Sequence, residues 1–360
     1  MLDFPKSRIL SPKPSWTGNF SDYITTIAWS SFDQLAIATA SGEVCLGNSQ
    51  QSQVLQSATN ESVDCLSFSD HWLAAAGQSG KINLWDLSKS DQEKPAMSLD
   101  QGNAWIDFLA WQRSHFAFNL GKYVQVWSIE TQDIVTTVNF ENSSVQALAW
   151  HPDGNYLTVG GYQGIKIWSA LDWDQDPFVL PLPTAVRAIA WQDQGQCLVI
   201  ATADETIIFL DYQNQEFTLS PFQLSGFSSK IKAIAWSNSN FKSNSKHKNT
   251  FAIASGAEIT IWEPHPNPDG GWIAEVFSEH KDRVNALEFQ PQSKVLASAD
   301  TDGKVYLSKG NTSIQTLSAN SEITCLKWHP QGHKLAVGTE KGEVLVWDIV
   351  SKPSSKGFWR

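Results

Sequence analysis

The chain has 360 residues, 41% of them hydrophobic and 18% charged, with a formal net charge of −11 and a pI near 5.2. An acidic balance argues against a nucleic-acid footprint, which needs a basic face, and disfavours acidic partners except locally. No run approaches the ~20 apolar residues that span a bilayer, and the N-terminal MLDFPKSRILSPKPSW lacks the apolar core of a signal peptide, so the expectation is a cytoplasmic protein without membrane insertion.

In chain order, residues 1–18 precede the first repeated unit. They hold apolar Leu2, Phe4, Ile9 and Leu10 among Pro5, Pro12 and Pro14, which confine any strand there to a sheet edge. Then a first strand written apolar, polar, any, apolar, any, Trp or Phe recurs eight times. It ends at Trp29, Phe68, Trp111, Trp150, Trp191, Trp236, Phe289 and Trp328. Each copy is followed by short runs rich in β-branched and aromatic residues, broken by polar turns with Gly, which is the pattern of strands and tight turns. The units fall near 24–56, 63–100, 106–140, 145–182, 186–222, 231–277, 284–317 and 323–349. The last, ITCLKWHPQGHKLAVGTEKGEVLVWDI, is the clearest copy. Repeat 4 ends in an acidic excursion, SALDWDQDP. Repeat 6 is interrupted at 237–250 by SNSNFKSNSKHKNT, too poor in apolar residues to order itself and expected to be a mobile loop. Residues 350–360 form a short basic tail with Phe358 and Trp359.

A three-stranded meander cannot bury its faces alone, so each unit needs neighbours. The spacing of about 40 residues, LWD at Leu84 to Asp86, VWD at Val346 to Asp348, the VQVW, IKIW and ITIW runs, and WHPDG and WHPQG after two first strands resemble the WD40-repeat β-propeller family. The resemblance covers nearly the whole chain. It implies an all-β fold: a single closed propeller of eight four-stranded blades, with seven as the alternative count, latched by an outer strand from residues 1–18. It also implies a scaffold more readily than a catalyst.

The candidate chemistry is thin. The resemblance implies a structural bracket in repeat 7, with His280, Ser298 and Asp302 as members and Ser308 where a Trp is usual. The same residue types invite a hydrolase reading, but nothing announces an oxyanion site. Asp172, Asp174 and Asp176 alternate like the start of a calcium loop, yet Pro177 and Pro183 stand where Gly and Glu belong. The histidines are scattered, with His151 and His329 in HPxG turns, and CxxC and HExxH are absent, so no metal and no cofactor are expected. Cys45, Cys65, Cys197 and Cys325 read as buried thiols of a reducing compartment.

Two expectations concern the first strand. Its large apolar positions are the first, fourth and sixth, which share one face only if an extra residue is absorbed between the first and fourth, so a β-bulge is expected there in most blades. The second position is polar in all eight units: Thr25, Asp64, Asp107, Gln146, Arg187, Lys232, Asn285 and Thr324. In the implied fold these side chains ring the channel mouth, on the face opposite the long insertions. They are the candidate partner-binding residues of a non-catalytic protein–protein interaction scaffold or assembly subunit. The alternative is a propeller hydrolase or lactonase holding a metal in its channel.

Overall fold

The computed structural model describes residues 12–47, 52–89, 92, 94–141, 143–213, 216–218, 221–237, 250–265, 267 and 271–349. Leu2, Phe4, Ile9 and Leu10, the centre of the 237–250 insertion, and the 350–360 tail lie outside the described residues. Among the described residues the regular structure is entirely strand, arranged as eight antiparallel sheets that form an eight-bladed β-propeller. The inner strands are Ile24–Trp29, Val63–Ser69, Leu109–Gln112, Ala147–Trp150, Val186–Trp191, Ile231–Trp236, Val284–Phe289 and Ile323–Trp328. Each lies beside the next, and the eighth lies beside the first, so the ring closes around a channel.

Seven blades are each built from consecutive strands. The eighth joins both ends of the chain: Trp16–Asn19 pairs antiparallel with Glu343–Asp348, from Trp16 opposite Val346 to Asn19 opposite Glu343. The Trp347 indole N–H donates to the Pro12 carbonyl at 3.0 Å and fixes the approach to this strand. Pro12 and Pro14 precede the paired residues and therefore remove no ladder donor. Gly342 turns the chain beneath the latch at φ +76°, and a Cβ there would stand 2.4 Å from the Phe20 carbonyl oxygen, so only glycine fits. Blade 5 departs from the expected four strands, because its outer edge is split into Glu216–Phe217 and Phe222–Leu224, both paired with Ile207–Gln213.

The core lies between blades rather than within them. Ile24 and Ile37 of blade 1 pack with Val344 and Val346 of blade 8, against Trp16 of the latch. Leu307 and Leu317 of blade 7 pack with Trp328 and Trp347. Each fully buried large side chain contributes about 1.5–3 kcal/mol, and the contribution depends on the neighbouring blade being in place.

The expected bulge is present in six blades. The register slips between the first and third positions at Ile24/Thr26, Val63/Cys65, Val186/Ala188, Ile231/Ala233, Val284/Ala286 and Ile323/Cys325, leaving the second residue outside the ladder. Blades 3 and 4 begin their ladders later, at Leu109 and Ala147. In blade 3 the buried Asn119 takes over, its Oδ1 accepting the N–H groups of Asp107 and Phe108, both at 2.9 Å.

Candidate partner-binding rim at the channel mouth

The bulge explains why the second position stays polar. The residues at the first position, from Ile24 to Ile323, are buried in every blade, while in six blades the skipped second residue leaves the ladder. The structure puts seven of the eight candidates to two uses and leaves Gln146 outside both.

Three are turned into the wall. The Thr25 hydroxyl donates to the Val63 carbonyl, Thr324 Oγ1 donates to the Ile24 carbonyl at 2.6 Å, and Asn285 Nδ2 donates to the Ile323 carbonyl at 2.9 Å and to Glu322 Oε1 at 2.8 Å. Each bond runs from one blade to the first-position carbonyl of the next, so blades 7, 8, 1 and 2 are laced in sequence. Gln146 is half-buried, with its Oε1 enclosed and lacking a hydrogen-bond partner among the described residues.

Four are exposed charges. Asp64 accepts from the Ser62 hydroxyl at 2.5 Å. Partial enclosure at the mouth raises its carboxyl above the usual carboxylate range; Ser62 works against that shift, and the like charge of Asp107 on the adjacent blade adds to it. Neither Asp64 nor Asp107 makes an ion pair among the described residues. Arg187 and Lys232 on adjacent blades 5 and 6 are exposed and make no ion pair among the described residues. The acidic second positions thus fall on blades 2 and 3 and the basic ones on blades 5 and 6.

Further along the strands the wall is built differently. The fifth position is small in six blades (Ala28, Ser67, Ala110, Ala149, Ala190 and Ala235), but carries Glu288 and Lys327 in blades 7 and 8. Lys327 Nζ stands 3.3 Å from Glu288 Oε1, and this neighbouring carboxylate raises the lysine above its ordinary range. Glu288 Oε2 also accepts the Trp328 backbone N–H at 2.6 Å. The indole N–H groups of Trp29, Trp111, Trp150, Trp236 and Trp328 donate to the fifth-position carbonyl of the preceding blade at 3.0–3.2 Å. The repeated Trp is therefore a hydrogen-bonded bracket as well as core.

The repeat-7 constellation is corrected in one member. His280 Nδ1 meets Asp300 Oδ2 at 2.7 Å and Nε2 meets Ser298 Oγ at 2.7 Å; the expected Asp302 is exposed in the following turn. Ser298 and Asp300 are two apart on one strand and so share a face, which the turn residue does not. The His280 side chain is 0% exposed and that of Asp300 1%, so the trio is sealed from any substrate and serves as a structural bracket. Of the four cysteines expected to be buried, Cys45, Cys65 and Cys197 are, and Cys325 is only half-buried. Burial pushes Cys45 up to about 12 and Cys325 to about 11, and raises Cys65 and Cys197 further.

Asp172, Asp174 and Asp176 do not converge as metal donors among the described residues. Asp33, His329 and His333 do, with donor atoms all within 4.8 Å of one another. The first-strand pattern gave no hint of this group, since Asp33 is nearly 300 residues from the histidines. The only local signal was the pairing of His329 with His333, four residues apart around a tight turn.

Comparisons with known proteins agree with the architecture. The family model of the WD domain, G-beta repeat, matches residues 49–86, 132–169 and 271–307, and that of the anaphase-promoting complex subunit 4 WD40 domain matches residues 312–357. The chain is 26% identical over 273 residues to the mouse periodic tryptophan protein 2 homolog, covering 74% of this chain and 27% of that protein. It is 24% identical over 261 residues to the anaphase-promoting complex subunit cdc20 of Dictyostelium discoideum, covering 69% and 49% respectively. The matches thus span about half or less of these relatives' length. Among solved structures, the computationally designed Ika8 protein superposes with a TM-score of 0.72 at 20% identity, covering 92% of this chain and 98% of that one.

Proposed function

Because the chain belongs to the WD40-repeat family, we propose that it is a non-catalytic subunit of a multiprotein assembly, and that it takes hold of a protein partner at the channel mouth. The observation that carries this reading is the divided rim. Asp64 and Asp107 are exposed on blades 2 and 3 and Arg187 and Lys232 on blades 5 and 6, while their counterparts in blades 7, 8 and 1 are occupied by internal bonds. Exposed charges can orient a segment of complementary polarity and raise its encounter rate. The relative named as a subunit of the anaphase-promoting complex supports the coarser half, membership of an assembly. The enzyme alternative gains nothing from the sealed His280 trio.

The test is affinity purification of the full chain from its native cells, with mass spectrometry of what co-elutes, beside a folded variant carrying Arg187→Glu and Lys232→Glu. A protein recovered with the wild type and depleted with the variant supports the reading. Equal recovery moves docking to the opposite face, and recovery of bait alone with turnover of a small ester favours the enzyme.

A further inference from the structure

On the face carrying the first-to-second strand turns, the seventh position of the repeat links blades. Ser69 Oγ donates to the Arg113 carbonyl at 2.8 Å, Gln112 Nε2 to Pro152 O at 3.4 Å and Gln290 Nε2 to Gly332 O at 2.7 Å, and His151 Nε2 meets Gly195 O at 2.9 Å. These four blades are linked this way, whereas Ser30 of blade 1 accepts the N–H groups of its own turn and blade 8 departs differently. His329 of blade 8 is 1% exposed, yet its enclosed Nε2 has no hydrogen-bond partner among the described residues. That nitrogen faces Asp33 of the blade 1 turn, 3.4 Å from Oδ1, and the His333 ring lies edge-on to His329 with centroids 4.3 Å apart. An orphaned buried nitrogen beside a second imidazole and a carboxylate calls for a partner.

We propose that Asp33, His329 and His333 hold a divalent transition ion of the zinc class, which staples the last blade to the first. Two imidazole nitrogens and one carboxylate oxygen are a donor set such ions accept at about 2.0–2.2 Å, leaving a fourth position for water. Tetrahedral bonds of that length place donors about 3.3–3.5 Å apart, and the His329 Nε2 to Asp33 Oδ1 separation is already 3.4 Å. His333 is exposed on its turn and closes the remaining gap by rotating.

Two features oppose the ion and set its affinity. Lys334 Nζ lies 2.7 Å from both Asp33 oxygens, so the ion takes Oδ1 while the ammonium keeps Oδ2. His329 Nδ1 accepts the Gln331 N–H at 3.1 Å, and metal at Nε2 transfers the ring proton to Nδ1. The matching turn of blade 4 accommodates such a proton. There Nδ1 of His151 sits 2.6 Å from Asp153 Oδ1, with the Asp153 N–H backed off to 3.4 Å. Gln331 occupies the Asp153 position, so the acceptor that the proposal assigns to this proton is its side-chain amide oxygen.

The experiment uses tag-free, chelator-stripped full-length protein titrated with Zn2+ and with Co2+. The site predicts one equivalent bound, a visible Co2+ absorption and a raised melting temperature. His333→Ala, on an exposed turn, melts like the wild type without metal but loses affinity by at least the roughly tenfold expected even of a supporting residue. Lys334→Met binds more tightly, a gain that misfolding does not mimic. Wild-type protein that binds neither ion more tightly than His333→Ala, or that Zn2+ leaves at the same melting temperature, overturns the proposal.

Discussion

Blades 7, 8 and 1 differ from blades 2, 3, 5 and 6 at one position of one strand. In both groups the residue after the first buried apolar one is polar. In the first group it is short and neutral and bonds to the neighbouring blade; in the second it is charged and faces water. The first group straddles the seam where the chain ends meet, and where the latch strand must be held by non-local pairing. The comparison teaches that a bulged residue can serve the ring or a partner. Donor capacity and reach together decide which: the Thr hydroxyl and the Asn amide carry a short donor that meets the adjacent carbonyl, an ionised Asp has no donor to offer it, and an Arg or Lys extends past it.

Cutting the seam should have the largest effect. Deleting residues 1–19 leaves Glu343–Asp348 as an open, apolar edge, and size-exclusion chromatography should show aggregation with loss of a single cooperative melt. A monomeric protein with an unchanged melt would mean that the ring closes without its latch.

The two uses of the second position should separate in stability. Thr25→Val and Thr324→Val each remove an interblade bond and should cost about 0.5–1.5 kcal/mol in urea denaturation. Arg187→Gln and Lys232→Gln should stay within about 0.5 kcal/mol of wild type. Equal losses in both sets would erase the distinction.

A smaller effect should sharpen it. The Asp64 carboxyl is raised in the folded state, first by enclosure. A group of that kind favours folding fully below its unfolded pKa and loses the contribution as pH rises through its folded pKa. At neutral pH the ionised Asp64 is therefore a cost, and Asp64→Asn should be slightly more stable than wild type at pH 7. The gain should vanish as pH falls below the carboxylate range, and a variant less stable than wild type at pH 7 would contradict it. An acid kept at the expense of stability is what a binding rim predicts.

Much of this was legible in the residues. The recurrence ending in Trp or Phe gave the eight blades, and the parity break between the first and fourth positions gave the bulge, because side-chain direction alternates strictly along a strand. What the pattern could not separate were residues of one polarity class with different partners. Asn285 and Asp64 share a size and a place in the repeat, but the Asn285 amide donates to the next blade's carbonyl and an ionised Asp64 has no donor for it, a difference that grouping both as polar hid. The choice of Asp300 over Asp302 turned on which acid shared the Ser298 face. The Asp33, His329 and His333 group required the ring to be closed before its members could be neighbours.

The most direct test of the rim is the association rate of the purified partner, measured at low and high salt. The proteins to compare are the wild type, the Arg187→Glu/Lys232→Glu protein and the Thr25→Val/Thr324→Val protein, each shown to be folded. The account predicts that the charge-reversed rim slows association at low salt, that the difference fades at high salt, and that the bracket variant associates as the wild type does. Equal rates for the charge-reversed protein and the wild type at both salt concentrations would contradict it.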